Sequence, residues 1–209
     1  QTTEGGTNTS VNGVPFAPDS HWAFSPLGYM VGGVSTRYAI ELFHPDGRIT
    51  RVERDFEPVP VAGDERANRE EQATWNMRRT QPDWSWNGPP IPETKPPFRA
   101  VHVGLDGRIW VLLHQPGERI PDDEIDRGSS VRPEARPADR WREPVAFDVF
   151  RPDGTYLGLV HGPDGLALWP SPVFDGDRVW AIVRDELDVQ YLTRFRVVVE
   201  LSLIHISEP

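Results

Sequence analysis

Short apolar runs separated by turn residues set the rhythm of this chain. One unit recurs: an apolar strand, a turn built on Asp-Gly, and another apolar strand. It spans 40–49 around Asp46-Gly47, 101–111 around Asp106-Gly107, 147–157 around Asp153-Gly154, and 172–180 around Asp175-Gly176. Asp-Gly between apolar runs predicts a hairpin, because the turn needs positive φ and glycine supplies it without steric cost. A lone hairpin cannot bury its apolar faces, so the repeats predict small antiparallel sheets stacked on one another. Strand pairs are expected over 22–34, 37–52, 98–113, 145–160 and 171–184, with a last strand over 191–199. Residues 109–113 are apolar on both faces, as in a strand sandwiched between neighbouring sheets.

Two segments break the rhythm. The first is 57–97, and its stretch 64–80 has helical composition. Asp64 is placed to cap the N-terminus, Glu65 and Arg69 are four apart, and Arg78 and Arg79 suit the C-terminal end of the dipole. Pro82 stops the helix, and the proline-rich 83–92 that follows reads as a packed loop. The second segment, 115–144, is charged, carries Pro116, Pro121, Pro133, Pro137 and Pro144, and reads as irregular. Residues 1–21 are polar and read as loop or a frayed edge.

Composition sharpens the fold class. With 22 prolines and 18 glycines in 209 residues, and Val, Ile and aromatics concentrated in short runs, the chain reads as all-β with one inserted helix. A net charge of −10 argues against nucleic acid, which calls for a clustered surplus of Lys and Arg. All but one of the 22 basic residues are arginine; the exception is Lys95, and the skew reads as a coding bias of a GC-rich genome. The absence of cysteine excludes disulfides, thiol catalysis and thiolate metal sites within the sequence given. No apolar run approaches the roughly eighteen residues of a spanning helix.

Some segments carry resemblances. Leu-Ser-Leu-Ile-His-Ile-Ser-Glu-Pro at 201–209 looks like one translated frame of the transposase adapter used in DNA sequencing libraries, and is set aside as an artefactual tail. The chain opens at Gln1 rather than Met, so it is expected to be one side of a larger reading frame. Gly-Arg-Ile-Trp-Val at 107–111, Phe-Arg-Pro-Asp-Gly at 150–154 and the aromatic-plus-Asp-Gly hairpins resemble the six-bladed β-propeller family related to NHL repeats. Glu-Pro-Val-Pro-Val at 57–61, Lys-Pro-Pro-Phe at 95–98 and Val-Arg-Asp-Glu-Leu-Asp-Val at 183–189 look like the C-terminal half of exported bacterial propeller proteins of unknown function. The resemblance covers 22–200. It implies two to three blades of four antiparallel strands, an export route, and a ring closed by blades the chain does not contain.

In a propeller the strands of a blade are counted outward from the channel. Turns at Gly28, Gly107 and Gly176 would then join first to second strands, and those at Gly47 and Gly154 third to fourth. All of these fall on one face, and both inserts and the 185–188 loop fall on the other. Loops on a rigid scaffold carry binding, so the elaborated face is the expected functional one. There, Trp84 and Trp86 read either as an aromatic platform for a sugar or peptide or as pins holding the insert down. Asp185, Glu186 and Asp188 read as oxygen ligands for Ca²⁺ or as a solvated acidic loop, with no EF-hand glycine and with Arg184 alongside. His102 is expected on an innermost strand with Ala100 and Gly104. It would face the channel as part of a metal site completed by missing blades, or serve as a structural histidine. His21, His44, His114 and His161 are scattered among turn residues, and no catalytic signature is present. The expected function is a binding or interaction module for a protein, peptide or carbohydrate; the alternative is a propeller lyase or hydrolase. An enzyme would need convergent titratable groups at the channel, a binder only aromatics and hydrogen-bonding loops.

Overall fold

The alternating runs form three stacked antiparallel sheets in the computed structural model, which describes residues 13–125, 136–185 and 189–198. Sheet one is a four-stranded meander of β1 (Ser20–Phe24), β2 (Met30–Val34), β3 (Ala39–Phe43) and β4 (Ile49–Glu53). The first insert follows with β5 (Val59–Pro60), the helix α1 (Gly63–Arg78) and β6 (Thr94–Lys95), β5 and β6 pairing as a short ribbon. Sheet two begins with β7 (Phe98–Val103) and β8 (Ile109–Leu113). The second insert interrupts it with a ribbon of β9 (Glu118–Arg119) and β10 (Trp141–Arg142). Sheet two is then completed by β11 (Ala146–Phe150) and β12 (Tyr156–His161), in the order β7-β8-β11-β12. Sheet three has β13 (Val173–Asp175), β14 (Arg178–Arg184) and β15 (Gln190–Arg196) in chain order. The tail at 201–209 and most of the polar N-terminal segment lie outside the described residues. No helix among the described residues is long and apolar enough to cross a membrane.

Three of the four Asp-Gly turns, at Gly47, Gly107 and Gly154, share one construction. At Asp46-Gly47 the glycine N–H bonds the His44 carbonyl at 2.9 Å, the His44 N–H bonds the Arg48 carbonyl at 2.9 Å, and the Asp46 carboxylate accepts the Arg48 N–H at 3.0 Å. The same three bonds recur around Gly107 and Gly154. This is a type I turn followed by a residue at positive φ, +83° at Gly47 and +80° at Gly107. The aspartate side chain takes the N–H that the turn leaves unpaired, which is why Asp-Gly is preferred there.

These turns gather at one end of the stack. Tyr29 donates its hydroxyl to the Gly107 carbonyl, Arg108 donates to the Gly176 carbonyl at 2.9 Å, and Leu105 N–H reaches the Phe174 carbonyl at 2.8 Å. In an antiparallel meander every remaining connection must leave from the opposite end. Both inserts and the β14–β15 loop do so.

Two apolar layers hold the sheets together. Between sheets one and two lie Val31, Ile40, Leu42, Phe98, Ile109 and Val111, all fully buried. Between sheets two and three, Trp110 stacks on Phe174 at 4.4 Å, with Phe147, Val149 and Val179 around them. β8 therefore buries both of its faces, as its unbroken apolar sequence requires. A polar lock crosses the first layer. The buried Asp148 carboxylate accepts from Tyr38 at 2.7 Å, Arg54 at 2.6 Å and Tyr156 at 2.8 Å. Burial first, and then the Asp148 charge, push the Tyr38 hydroxyl far above its ordinary range, so it stays a donor.

The helix departs from the sequence expectation at its start. Ala62 occupies the cap position with no side-chain bond, and Asp64 lies in the first turn with Glu65. Asp64 thus meets the positive end of the dipole instead of capping it. The strand after the β14–β15 loop begins at Gln190 and ends at Arg196, short of the expected 199.

Candidate functional site

The end carrying the inserts is organised by a stripe of polar residues on α1. Glu65, Asn68 and Gln72 are buried, along with Ala73 and Met77. Spacings of three and four put them on one face of the helix. Each buried polar group needs a partner, and the second insert supplies most of them. Asn68 donates to the Ala138 carbonyl at 3.0 Å and accepts the Arg140 N–H at 3.1 Å. Arg69 bonds Asp139 at 2.8 Å and the Trp141 carbonyl at 3.0 Å. Arg69 does not pair with Glu65 as its spacing suggests, because tertiary partners outcompete an exposed helical pair worth a few tenths of a kcal/mol.

Glu65 turns instead to the chain's single lysine. Lys95 Nζ lies 2.7 Å from Glu65 Oε1, 3.1 Å from Glu143 Oε1 and 3.0 Å from the Gln115 carbonyl. All three donor positions of the ammonium are used. The side chains of Lys95, Glu65 and Glu143 are 0%, 1% and 5% exposed, and that of His114 is 11% exposed. His114 Nδ1 sits 3.0 and 3.2 Å from the two oxygens of Glu143; facing a carboxylate, that nitrogen carries the proton and donates. Burial pushes the Glu143 carboxyl up. The bond and charge of His114, the Arg99 guanidinium and the Gln115 N–H outweigh it and hold the carboxyl down to about 2. Gly117 packs directly on Glu65, where a Cβ would meet the carboxylate at 2.6 Å.

The cluster is roofed by Phe16, whose ring centroid is 4.9 Å from Lys95 Nζ and 5.9 Å from the His114 ring. Phe16 is held at φ +59°, a conformation that a bulky residue adopts only when its surroundings impose it. Arg99 is largely buried, its Nε makes no hydrogen bond among the described residues, and desolvation lowers its pKa against the pull of Glu143. His21 packs on Phe98 at 5.5 Å, and burial lowers its pKa. The arrangement is a buried ion cluster in which Lys95, Glu65, Glu143 and His114 pair with one another. It cements the first insert to the second, and its charges are enclosed.

The tryptophans expected at this end lie within the first insert. Trp84 and Trp86 meet edge to face at 6.1 Å, both half-buried. Arg78 donates to the Trp84 carbonyl at 2.9 Å, and the Trp86 indole donates to the Gly88 and Pro89 carbonyls at 3.1 and 3.0 Å. Neither ring belongs to the two core layers. Arg184 ends β14, and the Asp185 carboxylate accepts the Val189 N–H at 2.9 Å, closing its loop. Asp188 and Glu186 lie outside the described residues.

His102 sits on β7 opposite Trp110, its ring between Phe147 at 6.1 Å and Phe174 at 5.8 Å. Its Nε2 is buried without a hydrogen-bond partner among the described residues, and desolvation lowers its pKa. Among the described residues no group of three or more His, Asp or Glu is arranged to hold a metal ion.

Sequence reasoning passed over Lys95, Glu65, His114 and Glu143. One signal was available: a lone lysine in a chain that otherwise uses arginine. The chain matches no family model, no curated protein and no solved structure.

Proposed function

We propose that the chain forms part of a six-bladed β-propeller and works as a binding module whose ligand sits on the insert-bearing end. The carrying observation is that every long connection leaves the sheets from that end, where the Lys95 cluster fixes the two inserts to each other. A rigid base under variable loops is the usual construction of a recognition surface. The propeller reading is supported by sheets of antiparallel strands stacked in chain order, with the first strands of sheets one and two packed together. An enzyme would need its convergent titratable groups open to substrate. Those at Lys95 are enclosed and mutually satisfied, so binding is favoured over lyase or hydrolase chemistry.

Trp84 and Trp86 are the proposed contact residues, for a carbohydrate or an extended peptide. The test is a screen of the full chain against immobilised oligosaccharides and peptides, repeated with Trp84→Ala and Trp86→Ala. Affinity for a hit should fall by about 1–3 kcal/mol, while Arg48→Ala and Arg151→Ala beside the Asp-Gly turns should leave it unchanged. Tryptophan variants that melt earlier yet bind normally would refute the assignment.

A further inference from the structure

Two polar atoms lie buried in the apolar layer between sheets two and three. His102 Nε2 and Trp110 Nε1 are both enclosed, and neither has a hydrogen-bond partner among the described residues. The two residues face each other across the β7–β8 ladder. Both rings pack on the same phenylalanines. Phe174 lies 4.4 Å from Trp110 and 5.8 Å from His102, and Phe147 lies 5.9 and 6.1 Å from them. An indole nitrogen only donates, whereas a neutral imidazole can keep its proton on Nδ1 and turn a bare lone pair inward at Nε2. A charged imidazole carries hydrogen on both nitrogens. Protonation therefore adds a second buried donor to the first, in a layer that gives neither of them an acceptor.

We propose that His102 is an acid-operated latch: when it takes up a proton, sheet three parts from sheet two. Among the described residues no charge faces the ring to stabilise an imidazolium. Asp148 on β11 points into the other layer, where Tyr38, Arg54 and Tyr156 bond it. On sheet three Phe174, Val179 and Phe195 pack on this layer, so strand alternation turns Asp175, Arg178, Arg194 and Arg196 outward. On β12 Val160 packs there, which turns His161 away. Asp106 is engaged by Arg108, and the charge of Arg99 is felt by Glu143. Desolvation alone acts on the His102 ring, holding its pKa below the ordinary 6.5. The parted junction returns the ring to water and takes the proton more readily. The closed junction is thus fully stable above about pH 6.5 and weakens as pH falls below it. Little else holds it. β13 has three residues, and it and its turn are tied to sheet two by Leu105 N–H on the Phe174 carbonyl at 2.8 Å and by Arg108 on the Gly176 carbonyl at 2.9 Å. Leu168 packs on the same layer, so the 162–172 connection loosens with it.

The experiment follows the Leu105 amide, whose bond to Phe174 crosses the junction, by hydrogen exchange of the full chain from about pH 7.5 to about pH 5. Rates are divided by the intrinsic rate at each pH, so that protection alone is compared. Protection at Leu105 should fall by up to about tenfold per pH unit below about 6.5, the limit for one proton taken up on opening. Amides of β3 should stay better protected than Leu105 at every pH, because sheet one keeps its packing on sheet two. His102→Phe and His102→Gln, neither of which titrates, should each remove the fall. In the wild-type chain the His102 ring resonance should titrate below 6.5 in step with the loss of protection. Leu105 protection that is level across the range would overturn the latch, as would a His102 resonance that titrates without it. So would a fall that survives in the His102 variants, or β3 amides that lose protection to the level of Leu105.

Discussion

Replacing Lys95 by methionine isolates the energetics of the buried cluster. The ammonium is fully enclosed and bonds Glu65 at 2.7 Å, Glu143 at 3.1 Å and the Gln115 carbonyl at 3.0 Å. Methionine keeps the unbranched stem and removes the ammonium and its charge. Glu143 retains His114 and the Gln115 N–H, but Glu65 is left as a buried carboxylate that has lost its lysine. Removing one member of a buried pair costs about 3–5 kcal/mol, chiefly through the charge left behind. Lys95→Met should therefore lower the unfolding free energy by about that amount in equilibrium urea denaturation followed by tryptophan fluorescence. Lys95→Met/Glu65→Leu should return to within about 1 kcal/mol of the parent, since replacing both partners by apolar groups is often neutral. Lys95→Arg should not rescue, because a planar guanidinium overfills a slot shaped for a compact ammonium. A single variant that costs under about 1 kcal/mol, or a double variant as unstable as the single, would refute the reasoning.

Other outcomes follow from the same contacts. The folded Glu143 carboxyl is held at about 2, below its ordinary 4.5, so its stabilisation is full above about pH 4.5 and is lost as pH falls towards 2; Glu143→Gln should flatten the acid limb of a pH-stability curve over that window. Asp148→Ala should cost about 3 kcal/mol by stranding Arg54 and the Tyr38 hydroxyl between sheets one and two, read as a fall in urea midpoint at unchanged slope. Gly117→Ala should cost about 1–3 kcal/mol, because its methyl would meet the pinned Glu65 carboxylate at 2.6 Å; a neutral result in the same assay would show that the carboxylate can move.

The hairpins were legible because their signals are local. Asp-Gly fixes the turn and the apolar runs fix the strands, so sheets one and two form with the expected pairs. The helix was legible in place but not in its partners. Its buried stripe is Glu65, Asn68 and Gln72, and no apolar periodicity marks a face that docks through hydrogen bonds. Glu65 with Arg69 is a sound local pair that the fold does not make, since Lys95 and Asp139 offer better-placed charges from other segments. His114 and Glu143 are brought together by β8 and β11 pairing, which lies far beyond local sequence. His102, read from the sequence as either a channel-facing or a structural histidine, sits with its ring between two phenylalanines of the second apolar layer. Trp84 and Trp86 were visible as neighbours, and they do meet.

Hydrogen–deuterium exchange footprinting tests the central claim most directly, namely that recognition belongs to the insert-bearing end. The full chain would be compared with and without an oligosaccharide or peptide hit from the array. Protection is predicted at 83–92, 114–120 and 138–143, with the turns at 45–48, 105–108 and 152–155 unchanged. Protection confined to those Asp-Gly turns would contradict the account.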